Sequence, residues 1–380
     1  MEKSIKRMGI FIFYDEQGIA DDYIDILLNS IGSMLCRLVI IVNGKVREAG
    51  YKKFQKYSRE IFVRENKGYD AGGYKDAVVK FFPEERWSEW DEVVLLNDTF
   101  YGPFCPWEQI FEKMCNERAD FWGLSRHPEG KFRTGEDIRQ HIQGYFLVCR
   151  KSLLKSKDWI EFWKKLPYPQ TYYEAVVNFE IYFTQYFEQH GFTGKAYTDY
   201  GSIVIPYDTN PTMRFAYELI SQENFPVVKR KIFTSFNFDV IKKIWKYIDS
   251  STTYDVELIK THLRRLQAEG RVSLLGPFNS LLLEKFYLSH KRIFIYGNGQ
   301  YAKRLDQYFK YKKWSHAGFL VTEKNDRAEG VFVYRDMSFF PQDGVVLGLG
   351  RKALNEVYPM VSETLNQEQI LIPDYKENIL

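Results

Sequence analysis

The sequence predicts an α/β fold in which a mostly parallel sheet is followed by a helical connector and a second, smaller α/β unit. In the first half of the chain, short apolar runs rich in Val, Ile and Leu alternate with stretches of helical periodicity. Near the carboxyl end, an apolar run leads into a glycine-rich turn and another helical stretch. This alternation of strand and helix is typical of parallel sheets with right-handed crossovers.

Four apolar runs predict the first four strands, which are Gly9–Tyr14, Arg37–Val42, Ile61–Arg64 and Asp91–Leu96. Each run is followed by polar side chains, which are Asp15, Asn43, Asn66, and Asn97 with Asp98. In open α/β sheets, ligands bind in the crevice at the carboxyl ends of the strands. We therefore expect these side chains near a ligand, although polar loops are also ordinary in an α/β domain.

The fourth predicted strand ends in Asn97-Asp98-Thr99. A carboxylate with two further oxygen-bearing side chains suits a hard divalent cation and the phosphates that it bridges. The alternative is a simple turn or a helix N-cap, which is the commoner role of such a triplet.

A polar, glycine-rich loop follows the third predicted strand and contains Asn66, Gly68, Asp70, Gly72 and Gly73. Such a loop lets backbone amides approach a phosphate or a sugar, and the helix that follows favours negative charge at its amino end. The alternative is an ordinary strand-to-helix turn, because glycine pairs are common there.

A run with mixed polar and aromatic residues, His141–Arg150, predicts a later strand on which His141 and Gln143 share a face. These two side chains are candidates for contact with a sugar. A hydrogen-bonded structural histidine is the competing interpretation.

Residues Tyr172–Gln189 predict an aromatic helix in which Glu180 is surrounded by apolar side chains. We expect desolvation to raise the pKa of Glu180, which would suit a general base. Glu174 and Glu188 are rivals that also fit a solvated helix face. Asp199 is a weaker candidate.

Near the carboxyl end, the strand-like run Arg292–Tyr296 is followed by Gly297-Asn298-Gly299 and Ala302, and Glu323 comes after the next strand. This spacing fits the dinucleotide fingerprint of Rossmann folds. The alternative is a Rossmann-like packing module whose glycines only permit the tight turn, and the small size of the unit favours it.

Net charge, cysteine spacing and apolar runs argue against several classes of protein. The net charge of +3 is too balanced to indicate nucleic-acid binding. The four cysteines lack C-x-x-C spacing, which predicts no zinc site and reduced thiols in a cytoplasmic protein. No stretch approaches the ~20 apolar residues of a membrane span, so any membrane contact is expected to be peripheral, at the inner face.

Two segments carry a family resemblance. ENKGYDAGGYKDAV, followed by EVVLLNDTFYGP, resembles the rhamnan synthesis protein F family of bacterial glycosyltransferases over about residues 8–210. The same segments are more loosely similar to the Asn-x-Gly loop and the Asp-x-Asp strand end of glycosyltransferase family 2. This chain departs from that pattern with Asn-Asp-Thr, which leaves open which side chain would hold a metal.

The resemblance implies a GT-A-like domain that transfers a sugar, rhamnose from a dTDP-linked donor, to a growing polysaccharide or lipid-linked glycan by inverting displacement. It further implies a Mg²⁺ or Mn²⁺ ion held by Asp98, and Glu180 as the base. The implied donor-binding residues are Asp15, Asn43, Asn66, Gly68, Asp70, Gly72, Gly73, Lys75, Asn97, His141 and Gln143.

The predicted domains are a glycosyltransferase domain at 1–210, a helical connector at 211–290 and a Rossmann-like domain at 291–380. A second hypothesis is an NAD(P)-dependent oxidoreductase, or an enzyme that modifies nucleotide sugars, using the Gly297 fingerprint. A third is a non-catalytic protein of polysaccharide assembly.

Overall fold

A computed structural model describes residues 5–131, 136–198, 200, 203, 210–235, 238–272, 280–323 and 330–373. The chain forms two compact units. The first comprises Met1–Ile232 with Asp239–His262, and the second comprises Phe233–Phe238 with Leu263–Leu380. The helices that we predicted as a separate connector are thus shared between the two units.

Both units are built from strands alternating with helices. The strands of the first unit are β1 (Arg7–Phe13), β2 (Arg37–Asn43), β3 (Glu60–Arg64), β4 (Glu92–Asn97), β5 (Phe100–Tyr101), β6 (Phe121–His127), β7 (Gly130–Lys131), β8 (Asp137–Ile138), β9 (His141–Ile142), β10 (Phe146–Arg150), β11 (Gly194–Thr198) and β12 (Val228–Lys229). Those of the second unit are β13 (Arg292–Tyr296), β14 (Gly318–Val321), β15 (Val331–Val333), β16 (Asp343–Leu347) and β17 (Ile370–Leu371).

The helices are numbered in the same way. Those before residue 200 are α1 (Tyr23–Gly32), α2 (Glu48–Gln55), α3 (Tyr69–Asp76), α4 (Trp107–Cys115), α5 (Lys151–Leu154), α6 (Lys157–Lys165), α7 (Tyr172–Ala175) and α8 (Tyr182–Gln189). The later ones are α9 (Pro211–Arg214), α10 (Ala216–Gln222), α11 (Phe238–Ser251), α12 (Val256–Ala268), α13 (Ser280–Ser289), α14 (Gln300–Tyr311) and α15 (Arg351–Thr364).

The central sheet of the first unit has the order β11-β6-β10-β4-β1-β2-β3. Its strands run parallel except β10, which is antiparallel to both β4 and β6. All residues of β1 and β4 are buried, as is usual for parallel strands covered on both faces. The predicted α/β class with a mostly parallel sheet is confirmed.

The aromatic residues of the first unit concentrate in its core. Trp159 and Trp163 of α6 pack with Phe179, Phe183 and Phe187 in one buried cluster. Ring pairs in edge and tilted arrangements add to the burial of large apolar areas. This cluster fixes the backbone on both sides of Glu180.

Two predicted elements differ from the structure. The helix predicted over Tyr172–Gln189 consists of α7 and α8 joined by a π-helical segment, Val176–Ile181. Wider turns of this kind occur often at functional sites, and Glu180 lies in this one. The strand predicted over His141–Arg150 is two strands, β9 and β10, because residues 143–145 leave the ladder between them.

The second unit contains a parallel sheet with the order β15-β14-β13-β16-β17. Numbered from β13, this order is 3-2-1-4-5, which is the Rossmann arrangement. The predicted Rossmann-like unit is therefore confirmed as a fold. Among the described residues, no helix is both long enough and apolar enough to span a bilayer.

Glycines of the second unit permit close packing of a helix on a strand end. Gly297 has a φ of +109°, and a Cβ there would lie 2.8 Å from the Gly348 carbonyl oxygen. A Cβ at Gly348 would lie 2.7 Å from the Ala302 Cα in α14. At Gly299, in contrast, a Cβ would meet nothing within 4 Å. Close packing thus favours glycine at positions 297 and 348, and the backbone conformation also favours it at 297.

We expect Gly348→Ala to destabilise the protein by about 1–3 kcal/mol, because the backbone of Ala302 cannot yield to a new methyl group. Gly299→Ala is the matched control and should cost less than about 1 kcal/mol, since the space around it is open. Chemical denaturation of both variants measures the difference. Equal losses of stability would contradict the packing role of Gly348.

Candidate active site

The carboxyl end of β4 organises a polar cluster in the first unit. Asn97 donates from Nδ2 to Oδ2 of Asp70, at the start of α3, over 2.7 Å. Its Oδ1 accepts from the backbone N–H and the hydroxyl of Thr99, at 3.1 and 2.7 Å. Asn97 therefore forms the turn that the simpler interpretation predicted, and it also holds a carboxylate in place.

Asp98 forms a buried ion pair with Arg230. Arg230 Nη1 lies 3.0 Å from Asp98 Oδ2, and it also donates to the Asp98 carbonyl oxygen (2.7 Å) and the Tyr23 hydroxyl (2.8 Å). Burial by itself would lower the pKa of Arg230, but the attraction of Tyr23 and Asp98 raises it. The guanidinium therefore stays charged. Burial raises the pKa of Asp98, and the charge and hydrogen bond of Arg230 oppose this rise.

Further aromatic groups fix this pair. The ring of Tyr23 packs edge-on against Tyr101, with 5.0 Å between centroids. The Tyr101 hydroxyl is 2.7 Å from His262 Nδ1. Tyr23 and His262 are both buried. The position of Arg230 therefore depends on α1, β5 and α12 together.

These surroundings do not fit a divalent cation at Asp98. A metal needs several oxygen ligands with free lone pairs, whereas Arg230 already occupies an Asp98 oxygen. Among the residues that the structure describes, no group of three or more His, Cys, Asp or Glu side chains is arranged to hold a metal ion.

Asp70 is the second carboxylate of the cluster. It accepts from Asn97 and, through Oδ1, from the backbone N–H of Ala71 at 3.0 Å. Burial, and then the negative charge of Glu180, raise the pKa of Asp70 to about 6, against these hydrogen bonds and Lys229. Asp70 and Glu180 are thus close enough to influence each other electrostatically, although they are 110 positions apart in the chain.

Glu180 is the third carboxylate, and its side chain is 24% exposed. Its Oε2 lies 3.8 Å from Nε2 of His141. Burial by itself would raise the pKa of Glu180, but His141 and Lys229 outweigh burial, and the net pKa is lowered. The expected raised pKa is therefore wrong, because the sequence does not show the cations that fold against this helix.

His141 faces Glu180 rather than open solvent. Its Nδ1 lies 2.8 Å from the Arg139 carbonyl oxygen, which can only accept a hydrogen bond. Nδ1 therefore donates to this carbonyl oxygen, and Nε2 is the ring nitrogen that faces the Glu180 carboxylate. His127 stacks on His141 with 5.2 Å between ring centroids.

Lys229 completes the cluster from β12. Its Nζ lies 3.4 Å from the centre of the Tyr145 ring and 3.4 Å from the Thr99 hydroxyl oxygen. Burial lowers the pKa of Lys229 to about 8, against the attraction of Glu180 and Asp70. Its ammonium group therefore stands among the carboxylates of the cluster.

The glycine-rich loop packs tightly against protein. Gly68 adopts a left-handed conformation with a φ of +82°, which precedes α3. A Cβ at Gly72 would collide with the Lys67 carbonyl oxygen, and one at Gly73 would lie 2.9 Å from Ile12 Cδ1. Packing alone explains the last two glycines, and their contact with a donor stays a prediction.

Several predicted donor-binding residues make structural contacts. Asp15 Oδ1 accepts from the backbone N–H groups of residues 17 and 19, at 2.9 and 3.0 Å. Asn43 donates to the Tyr69 carbonyl oxygen at 2.9 Å. Lys75 donates to the Leu166 carbonyl oxygen. These bonds hold loops in place, and the roles of these residues in donor binding stay predictions.

Two other predicted residues lie at different depths. Gln143 is buried and accepts from the hydroxyl of Ser125 at 2.8 Å. Asn66 is exposed. A role in donor binding stays a prediction for both residues.

The rivals of Glu180 have other contacts. Glu174 accepts from the Gln170 backbone N–H at 2.8 Å, near the start of α7. Glu188 lies 3.7 Å from Arg126, in ion-pair range. Asp199 lies outside the described residues. Of the two described rivals, Glu174 thus bonds the backbone just before α7, and Glu188 pairs with Arg126 near the end of α8.

Sequence reasoning missed Lys229 and Arg230 as functional candidates. Both lie in the segment 211–290, which we predicted only as a helical connector. The available signal was the basic run Lys229–Lys231. Nothing local showed that this run would pair with a strand that ends about 130 residues earlier.

We expect Asp70→Asn to gain stability relative to the wild type as pH rises from about 4 to 6, where the difference should level off. The unfolded chain releases the Asp70 proton near pH 4, whereas the folded chain keeps it to about pH 6. The contribution of Asp70 to the free energy of unfolding therefore falls across this window. The asparagine variant lacks this loss.

Urea denaturation at several pH values measures this difference. Glu48→Gln, which changes an exposed carboxylate on α2, is the control and should give curves parallel to the wild type. Parallel curves for Asp70→Asn as well would contradict the position of Asp70 in the cluster.

Two solved structures are similar to the chain at low sequence identity. 4-Diphosphocytidyl-2C-methyl-D-erythritol synthase from Anaerococcus prevotii is 13% identical, with 53% of this chain and 92% of that chain covered and a TM-score of 0.34. Core-mannan synthase A from Aspergillus fumigatus, in an Mn/GDP form, is 6% identical, with 43% and 64% covered and a TM-score of 0.28. TM-scores this low carry no conclusion about function.

A curated relative is protein y4gN of Sinorhizobium fredii (strain NBRC 101917 / NGR234), which is described as uncharacterized. It is 25% identical over 185 residues, which are 49% of this chain and 46% of the relative. The chain thus spans about half the length of the curated relative that it matches.

A family model described as rhamnan synthesis protein F matches residues 38–336. This span is well over half of the chain, and it includes the whole cluster from Asp70 to Arg230. The family resemblance expected from the two sequence segments is confirmed. The chain belongs to the rhamnan synthesis protein F family.

Proposed function

We propose that this protein is a glycosyltransferase that uses a nucleotide-sugar donor and builds a cell-surface polysaccharide. The finer proposal is transfer of rhamnose from dTDP-rhamnose to a polysaccharide or lipid-linked glycan. Family membership supports the reaction class. The same proposal puts the reaction in the cytoplasm, with peripheral contact at the inner face of the membrane where a lipid-linked acceptor would lie.

One observation carries the proposal. Asp70, Glu180 and Lys229 influence one another electrostatically at the carboxyl end of β4. Titratable groups with shifted pKa values in such a crevice are typical of catalytic sites. An acid–base pair beside a cation is what displacement of an anionic leaving group by a sugar hydroxyl requires.

The proposed reaction is a direct displacement with inversion. The acceptor hydroxyl oxygen attacks the anomeric carbon from the face opposite the nucleotide. The new carbon–oxygen bond forms as the bond to the diphosphate oxygen breaks, and the diphosphate leaves with that electron pair. Glu180 takes the proton of the attacking hydroxyl.

The structural contacts suit Glu180 for this role. Its lowered pKa means that the side chain is ionised at neutral pH and is ready to accept a proton. His141 lies on one side of the carboxylate and holds it in a fixed orientation, with Nδ1 anchored on the Arg139 carbonyl. Because the side chain is partly exposed, an acceptor can reach it.

We expect dTDP to raise the melting temperature of the full chain and NAD(H) to leave it unchanged. A ligand at 100 times its dissociation constant stabilises the folded state by about 2.7 kcal/mol. A thermal-shift series with dTDP, UDP, NADH and orthophosphate measures this, with orthophosphate as the control for general anion binding. Stabilisation by NADH alone would instead support an oxidoreductase built on the Gly297 turn.

We expect Glu180→Gln to lower the rate of sugar transfer by about 10²–10⁴-fold with little change in donor affinity. The glutamine keeps the size of the side chain but cannot take the proton. Glu174→Gln is the matched control on the same helical stretch, and it should keep near-normal turnover because Glu174 bonds the Gln170 backbone N–H before α7.

Transfer rates and donor affinities of both variants decide between the two acids. A Glu180→Gln enzyme with normal turnover beside an inactive Glu174→Gln enzyme would move the base to Glu174. Full activity in both would refute the proposed acid–base role.

A further inference from the structure

The leaving group of the proposed reaction carries negative charge that the protein must offset. Glycosyl transfer releases a nucleoside diphosphate, and positive charge near its oxygens stabilises the transition state. In many enzymes a bound divalent cation supplies this charge. Asp98, the predicted ligand for such an ion, is instead paired with Arg230.

Lys229 has the position and the charge for this task. It precedes Arg230, so the ion pair of Arg230 with Asp98 holds the Lys229 backbone at the end of β4. Its Nζ contacts the Thr99 hydroxyl, in a hydrogen bond that is accessible to solvent. The Tyr145 ring below it fixes the ammonium group by a cation–π contact.

Three charged and two uncharged groups surround Lys229. Asp70 approaches from α3 and Glu180 from the π-helical segment, and both attract the ammonium group. Arg230 is its neighbour in the chain and repels it. Thr99, at the end of β4, and Tyr145, before β10, are its uncharged contacts. Both carboxylates thus attract the ammonium group of Lys229, whose hydrogen bond to Thr99 is accessible to solvent.

We propose that Lys229 binds the diphosphate of the nucleotide donor and that sugar transfer proceeds without a divalent metal ion. This inference rests on the proposed function. Lys229 forms no covalent bond in the reaction. Its N–H groups donate hydrogen bonds to diphosphate oxygens, and its charge offsets the charge that develops as the anomeric bond breaks.

The direct test measures dTDP binding by titration calorimetry in excess EDTA and again with Mn²⁺. We expect wild-type affinity to be the same in both buffers. Lys229→Met should weaken dTDP binding by about 10- to 100-fold, which is the usual effect of losing a hydrogen bond to a charged group. Lys229→Arg should retain most of the affinity, because the charge is kept.

Lys113→Met is the matched control. Lys113 also lies over a tyrosine ring in the first unit, with Nζ 4.4 Å from the centre of the Tyr197 ring, but on α4. This variant should bind dTDP as the wild type does. It therefore separates the effect of Lys229 from the general effect of removing a lysine from an aromatic contact.

A pH series adds a readout that a purely structural lysine would not change. Wild-type affinity for dTDP should fall as pH rises through about 8, where Lys229 loses its proton. Lys229→Arg should abolish this fall, because guanidinium stays protonated to above pH 12. The Arg variant and the wild-type chelator measurement decide the question even if the Met variant does not fold.

The possible outcomes separate the two proposals. A wild-type protein that binds no nucleoside diphosphate in either buffer overturns the proposed function and this inference together. Binding that requires Mn²⁺, or that survives Lys229→Met unchanged, overturns the inference alone. Metal-independent binding that is lost in the Met variant and kept in the Arg variant supports it.

Discussion

The buried ion pair between Asp98 and Arg230 is the interaction on which the candidate site depends. It joins the end of β4 to a segment 132 residues later in the chain, and it brings Lys229 to the same place. Removing one partner of such a pair typically costs about 3–5 kcal/mol, because the other charge is left buried. The pair also satisfies the Tyr23 hydroxyl, which connects it to α1. The geometry of the crevice is therefore set by a long-range contact rather than by the turn at the strand end.

The segment that carries Glu180 is held in place by packing. Phe179 and Phe183 are buried in the aromatic core, and Glu180 lies between them in the chain. The π-helical segment widens the helix there, which changes the direction of the side chain relative to a regular α-helix. The aromatic core thus makes this segment rigid, and the π-helical turn directs Glu180 toward His141. Aromatic residues that support the segment in this way can keep a base in position although they do not themselves contact the substrate.

Local patterns were sufficient to predict the parallel strands and the Rossmann-like second unit. They were insufficient where a role depends on a distant partner. Arg230 pairs with Asp98, and His141 lowers the pKa of Glu180, yet neither effect is visible in the sequence around either acid. The glycines at Gly72 and Gly73 show the same limit, because only the folded chain shows which atoms their missing side chains leave room for. The periodicity of apolar residues in a sequence indicates which side chains are buried. The charge state of a site depends on groups that only the tertiary structure brings together.

The electrostatics of the cluster argue against a purely structural role. Asp70 and Lys229 both have pKa values shifted toward neutrality, which means that burial penalises the charged form of each. Apolar residues of similar volume would often stabilise the fold as well or better. Burying Asp70 and Lys229 therefore lowers the free energy of unfolding. Losses of stability of this kind are concentrated at functional sites. The same crevice contains the Glu180–His141 pair, so the cost is confined to the place where proton transfer and anion binding are proposed to meet.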